Sequence, residues 1–185
     1  MDHGAEHYSR FLAGDDGGIV EIIKNHKDGL ILFLNRYVNN IYTAEELAED
    51  TFFKLVTRKP RFRGNSSFKT WLYAIGRNVA VDHMRRVGQN AGYSDEELAQ
   101  FHRDEDELER AYLREERKIL VHRALARIGP ERGKALYLRY IEELDIKQIA
   151  LVLGKSKRQV SNLLYQAKRS LKLELEQEGI CDEGL

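Results

Sequence analysis

The stretch from Arg61 to Arg86, R-F-R-G-N-S-S-F-K-T-W-L-Y-A-I-G-R-N-V-A-V-D-H-M-R-R, carries a structural and a chemical signal together. Phe68, Leu72, Ile75 and Val79 recur at helical spacing, which predicts a helix over Phe68–Arg86 with one buried stripe. Gly64-Asn65-Ser66-Ser67 before it is a loop with capping hydroxyls. Widened back to Phe53, the segment holds the cations Lys54, Arg58, Lys59, Arg61, Arg63, Lys69, Arg77, Arg85 and Arg86 against the single acid Asp82. Phe62, Phe68, Trp71 and Tyr73 are interleaved with that charge. Basic groups attract a phosphate backbone, and aromatic faces stack on unpaired bases, so the combination points to single-stranded or opened nucleic acid. The competing interpretation is a solvated helix whose aromatics all belong to the core. Trp71, Asn78 and Arg85 lie seven apart and line one flank with an aromatic ring, an amide and a cation, which suits base and phosphate contact.

Upstream, Met1–Gly14 is a polar lead with a helical turn or two around Tyr8–Leu12. Asp15-Asp16 cap a helix in which Ile19, Ile22, Ile23, Leu30, Phe33, Leu34, Tyr37 and Val38 recur to about Asn40. Gly29 weakens it by up to about 1 kcal/mol relative to Ala and permits a kink. Thr43-Ala-Glu-Glu46 has the capping-box pattern and opens the next helix, which Pro60 stops. On the wheel of that helix Ala44, Leu47, Ala48, Thr51, Phe52 and Leu55 form a core side. Glu46, Glu49, Asp50 and Phe53 fall opposite. An exposed phenylalanine among acids fits a protein partner that is basic around an apolar pocket; the alternative tucks Phe53 under the preceding helix.

Downstream, Gly88–Arg103 has no sustained periodicity and leads into an acid-rich stretch, Ser94–Glu116, consistent with an inter-domain linker. A helix is expected from about Leu108 to Arg127. After Gly129-Pro130, helices follow at about Glu131–Glu142, Ile146–Leu153 and Lys157–Glu178. Gly154 suits a C′ position, and Ser156 with Gln159 makes a second capping box. The last two helices form a helix-turn-helix, with Ile149, Ala150, Val152 and Leu153 inward on the first and Val160, Leu164, Ala167 and Leu171 inward on the second. Arg158, Asn162, Tyr165 and Arg169 face outward, with Ser161, Gln166 and Lys172 beside them, as major-groove reading requires. A solvated helical hairpin is the plainer alternative.

Thirty basic and thirty acidic residues give a formal net charge of zero, yet the charge is segregated into basic, acidic and basic segments. One cysteine, Cys181, excludes an internal disulfide and fits a reducing cytoplasm, where an idle thiol is the simplest role for it. No apolar run spans a bilayer, so no membrane insertion is expected. The six histidines are scattered, and there is no phosphate loop or nucleophile elbow. Catalysis, a metal site and a cofactor are therefore not expected. The expected fold class is all-α, as two small helical domains: 1–87, an acidic linker over 88–107, and 108–185.

Three motifs resemble the extracytoplasmic-function sigma factors, the two-domain members of the sigma-70 family: A-E-E-L-A-E-D-T-F-F-K-L, F-R-G-N-S-S-F-K-T-W-L-Y-A-I-G-R-N-V-A-V-D-H-M-R-R, and L-Y-L-R-Y-I-E-E-L-D-I-K-Q-I-A-L-V-L-G-K-S-K-R-Q-V-S-N-L-L-Y-Q-A-K-R-S-L. The resemblance covers about Gly14 to Leu173 and implies a cytoplasmic promoter-recognition subunit of bacterial RNA polymerase that does no covalent chemistry. It implies that Glu46, Glu49, Asp50 and Phe53 dock on the polymerase core. It also implies that Arg61, Arg63, Asn65, Ser66, Phe68, Lys69, Trp71, Arg77, Asn78 and Arg85 bind the opened minus-ten element of promoter DNA. Arg139, Lys157, Arg158, Ser161, Asn162, Tyr165, Gln166 and Arg169 would then bind the minus-thirty-five element. An anti-sigma factor is the implied regulator. Ser161, Leu163 and Gln166 stand at commonly basic family positions, Glu49 at a usual Gln and Gly129 at a usual Leu, so the promoter sequence does not carry over. The alternative function is an autonomous helix-turn-helix regulator that binds duplex DNA without polymerase.

Overall fold

Helix α1 (His3–Leu12) starts at Asp2, whose Oδ1 accepts the Ala5 N–H at 3.2 Å. It is longer than spacing alone predicts because it has both a cap and a buried pair, Tyr8 and Phe11. Helix α2 (Gly17–Val38) follows, then α3 (Ile41–Arg58). Asn40 Oδ1 accepts the Thr43 N–H at 2.8 Å, so α3 begins before the Thr43–Glu46 box, where Ile41 can be buried completely. Lys59 then turns left-handed, with φ 41°, ahead of Pro60. Helix α4 (Phe68–Asn90) outlasts the expected end at Arg86. Leu30, Phe33 and Leu34 of α2, Leu47, Phe52 and Leu55 of α3, and Leu72 and Val79 of α4 are buried in one core where these three helices pack.

This computed structural model describes residues 2–90 and 127–177, and among them every regular element is helical. The expected linker beyond residue 90, the expected helix over 108–126 and Cys181 lie outside the described residues.

The expected helix Glu131–Glu142 is two elements. Helix α5 (Pro130–Leu136) has Pro130 in its first turn, and a π-helical turn, Tyr137–Ile141, follows it. The Glu142 N–H reaches the Tyr137 carbonyl at 3.1 Å, five residues back. That wider turn brings Tyr137 and Glu142 to the same side. Helix α6 (Ile146–Leu153) carries an Asp145–Gln148 capping box, with bonds of 2.8 and 2.9 Å. Helix α7 (Lys157–Gln177) starts at the expected Ser156–Gln159 box, with bonds of 2.8 and 3.2 Å. Gly154 between them is left-handed, with φ 63°, as its C′ position requires.

The described parts of the two helical units pack against each other, α4 on α6 and α2 on α5. Glu142, only 7% exposed, is the hub of that contact. It pairs with Lys69 Nζ at 2.5 Å and accepts from the Tyr137 hydroxyl at 2.9 Å. The Tyr137 hydroxyl also lies 3.0 Å from the Gly29 carbonyl. Tyr73 bonds the same carboxylate, and burial first, then Glu142, raises both tyrosine hydroxyls well above their usual pKa, so both remain donors. Nearby, Lys134 Nζ lies 3.9 Å from the centre of the Tyr37 ring and pairs with Glu131 at 2.5 Å.

Candidate nucleic-acid interface

Three surfaces carry the residues singled out by sequence. On α3, Ala44, Leu47, Ala48, Thr51, Phe52 and Leu55 are buried, as its wheel predicts. Glu46, Glu49 and Asp50 are exposed, and Phe53 is 65% exposed, so the ring is not tucked under a neighbour. Tyr42 and Val56 are also exposed. At i, i+4, i+7, i+11 and i+14, Tyr42, Glu46, Glu49, Phe53 and Val56 make one apolar stripe carrying acids. Sequence reasoning missed both ends of that stripe, although the spacing was there to read.

The second surface is the loop after Pro60 and the flank of α4. Arg61, Arg63 and Asn65 are exposed, and Ser66 is half-buried with its hydroxyl 3.2 Å from the Ser67 carbonyl. Ser67 Oγ accepts the Thr70 N–H at 3.2 Å and so caps α4. Asn78 and Arg85 are exposed on one flank. Arg85 pairs with Asp82 at 3.3 Å, an exposed contact of little energetic weight that a phosphate can replace. Arg77 is half-buried; its Nη1 donates to Asn78 Oδ1 at 3.1 Å and fixes that amide's direction.

The aromatics behave differently from the simplest expectation. The resemblance puts Phe68 in the strand-binding set, but its ring is fully buried, as its place in the apolar stripe of α4 predicts. Ring centres of Tyr8, Phe62 and Trp71 lie 5.6, 5.8 and 5.5 Å from it. Tyr73 is buried as well, at the contact with Glu142. Each such ring removes roughly 150–250 Å² from water, so packing claims it ahead of any base. Trp71 is half-buried and packs at the edge of this cluster. Lys69 is turned inward to Glu142.

The third surface is α7. Val160, Leu164 and Ala167 are buried against Ile149, Val152 and Leu153 of α6, and Leu171 packs at the edge. Lys157, Arg158, Ser161, Asn162, Tyr165, Gln166 and Arg169 are all exposed, Tyr165 to 65%. Arg139 is exposed in front of α6, with Nη1 donating to the Leu144 carbonyl at 3.1 Å. A short turn thus holds a helix whose free face is cationic and rich in hydrogen-bonding groups, the arrangement that fits a DNA major groove.

Comparison with known families decides between the readings left open by the faces alone. Sigma-70 region 2 matches residues 22–89, and Sigma-70, region 4 matches residues 118–171. The chain belongs to the sigma-70 family and is an alternative sigma factor of the extracytoplasmic-function type. It is 28% identical over 170 residues to RNA polymerase sigma-H factor of Pseudomonas aeruginosa, covering 88% of each chain. It is 29% identical over 163 residues to RNA polymerase sigma factor YlaC of Bacillus subtilis, covering 83% of this chain and 90% of that one. In structure it resembles the sigma factor RpoE of Bartonella quintana, solved with the anti-sigma factor NepR, with a TM-score of 0.62 and 18% identity over 84% of this chain and 95% of that one. In this sigma factor the loop and α4 belong to region 2 and the helix-turn-helix to region 4. Among the described residues no helix is long and apolar enough to cross a membrane.

Sequence reasoning overlooked the residues that hold these surfaces together. Asp2 Oδ2 accepts the N–H of Phe68 at 2.6 Å, and the Tyr8 hydroxyl donates to the Pro60 carbonyl at 2.8 Å. Gln148 Nε2 donates to Ser67 Oγ at 3.2 Å. Each joins residues more than 50 positions apart, so no local pattern signals them.

Proposed function

We propose that this sigma factor binds core RNA polymerase through the acid-flanked stripe on α3 and reads promoter DNA with two separate surfaces. Glu46, Glu49, Asp50 and Phe53 form the docking face. Arg61, Arg63, Asn65, Ser66, Trp71, Arg77, Asn78 and Arg85 hold the opened minus-ten strand, with Lys69 joining them once it is free of Glu142. Phe68 supports that surface from beneath. Arg139, Lys157, Arg158, Ser161, Asn162, Tyr165, Gln166 and Arg169 engage the minus-thirty-five duplex. The first domain runs to the end of α4 at Asn90, the second spans 108–185, and 91–107 joins them. The protein acts in the cytoplasm and performs no covalent chemistry. The observation that carries this reading is the pairing of two free cationic, hydrogen-bonding faces with an exposed acidic and aromatic face, all in a chain of this family. The similar fold solved with an anti-sigma factor supports a regulator of the same class here.

Run-off transcription with purified core polymerase on a genomic promoter library tests the whole, and silence across the library contradicts it. Asn78→Ala is expected to lower promoter opening by roughly tenfold, the scale of one good base contact, while holoenzyme assembly is unchanged. Equal loss of both activities refutes the assignment of Asn78.

A further inference from the structure

The region-2 match starts at residue 22, so α1 lies outside it, yet α1 grips the proposed minus-ten loop at both ends. At the upstream end the Tyr8 hydroxyl donates to the Pro60 carbonyl at 2.8 Å. Lys59 Nζ, one residue earlier, stands 5.0 Å from the centre of the Phe11 ring. At the downstream end Asp2 Oδ2 accepts the first N–H of α4, that of Phe68, at 2.6 Å, while Oδ1 caps α1 itself. The helix backbone lies against the Phe68 ring at Gly4, where a Cβ would stand 2.5 Å from Phe68 Cδ1. The fully buried Tyr8 ring fills the space between, 5.6 Å from Phe68 and 5.3 Å from Trp71.

A loop closed between two fixed ends has far fewer conformations than one fixed at a single end. Arg61, Arg63, Asn65 and Ser66 lie between these two anchors and have few internal bonds of their own. We infer that α1 is a brace for the minus-ten loop and that Asp2 and Tyr8 are positioning residues for promoter opening. Both act through other residues, Tyr8 through Pro60 and the rings of Phe68 and Trp71, Asp2 through the first N–H of α4. This rests on the assignment of the loop and α4 to the opened strand. Burial raises the Tyr8 hydroxyl pKa to about 12, so the donor is present at any working pH.

The test uses reconstituted holoenzyme with Tyr8→Phe, Asp2→Ala, Asp2→Asn and, as a reference, Asn78→Ala. Tyr8→Phe keeps the packed ring and removes only the bond to Pro60. Asp2→Asn keeps an acceptor for the Phe68 N–H that Asp2→Ala lacks. Core binding is read by gel filtration, opening by permanganate reactivity of the minus-ten thymines, and strand binding with a minus-ten non-template oligonucleotide. Tyr8→Phe and Asp2→Ala are expected to slow opening and weaken oligonucleotide binding by about fivefold each, the weight of one hydrogen bond, with core binding intact and Asp2→Asn largely restored. If Asn78→Ala abolishes opening while Tyr8→Phe and Asp2→Ala open like the wild type, the brace is overturned and the minus-ten assignment stands. If the α1 variants lose core binding and opening together, α1 is only part of the fold and the proposal also fails. If none of the variants, Asn78→Ala included, alters opening, the minus-ten assignment falls and the brace with it.

Discussion

Gly29 sits in the middle of α2, where a glycine costs the helix up to about 1 kcal/mol relative to alanine. The structure shows no kink cause there but a close approach: a Cβ would lie 2.6 Å from both Glu142 Oε1 and the Tyr73 hydroxyl. Those atoms belong to a buried network, so they have little room to yield. Overpacking of this kind costs about 1–3 kcal/mol, more than the gain in helix propensity. Gly29→Ala is therefore expected to lower the thermal midpoint by several degrees, measured by calorimetry. His26 makes a second residue-scale case. Its pKa is lowered first by burial and then by the Lys69 charge, with Glu142 and Asp2 opposing and His7 adding slightly. The unfolded chain therefore takes up this proton before the folded one does. The stabilisation from neutral His26 is full above its ordinary value of 6.5 and is lost as pH falls below that value. Urea midpoints measured from about pH 8 to about pH 5.5 are expected to fall, and His26→Gln to flatten the slope in that window.

At the scale of elements, the helix-turn-helix depends on two consecutive capping boxes. Asp145 with Gln148 starts α6, and Ser156 with Gln159 starts α7, with left-handed Gly154 between them. The caps set where α7 begins and so which residues share its outward face. Ser156→Ala removes one acceptor and is expected to cost about 1 kcal/mol, read as a shift in urea midpoint without a change in slope. Because the cap precedes the recognition helix directly, duplex binding by the holoenzyme is expected to weaken with it. Helix α3 shows the complementary case, where the inner face is filled by Ala44, Leu47, Ala48, Thr51, Phe52 and Leu55 and Phe53 is left mostly exposed in the free chain.

For the whole molecule, the decisive feature is the contact between the two helical units around Glu142. Lys69 and Ser67, which flank the proposed strand-binding surface, are held there by Glu142 and Gln148. Glu142→Ala leaves the Tyr73 hydroxyl without its carboxylate, while the Tyr137 hydroxyl keeps the Gly29 carbonyl, and an unpaired buried hydroxyl costs about 1–3 kcal/mol. The variant is expected to populate a more extended form, seen as a larger radius of gyration in small-angle X-ray scattering. An unchanged radius would mean that apolar packing alone holds the units together.

Periodicity and caps sufficed for α2, α6 and α7, for the start of α4 and for the end of α3 ahead of Pro60, because apolar spacing and the Ser156, Gly154 and Pro60 signals act within one or two turns. Outward faces were legible for the same reason, and Arg158, Asn162, Tyr165, Arg169, Asn78 and Arg85 are all exposed. The burial of Tyr73, the π-helical turn that aims Glu142, and the clasp of Asp2 and Tyr8 on the loop were not legible. Each depends on groups far apart in the chain meeting in a water-poor space. There, burial area and the cost of an unpaired polar atom outweigh any local preference, and only the tertiary structure decides which groups meet.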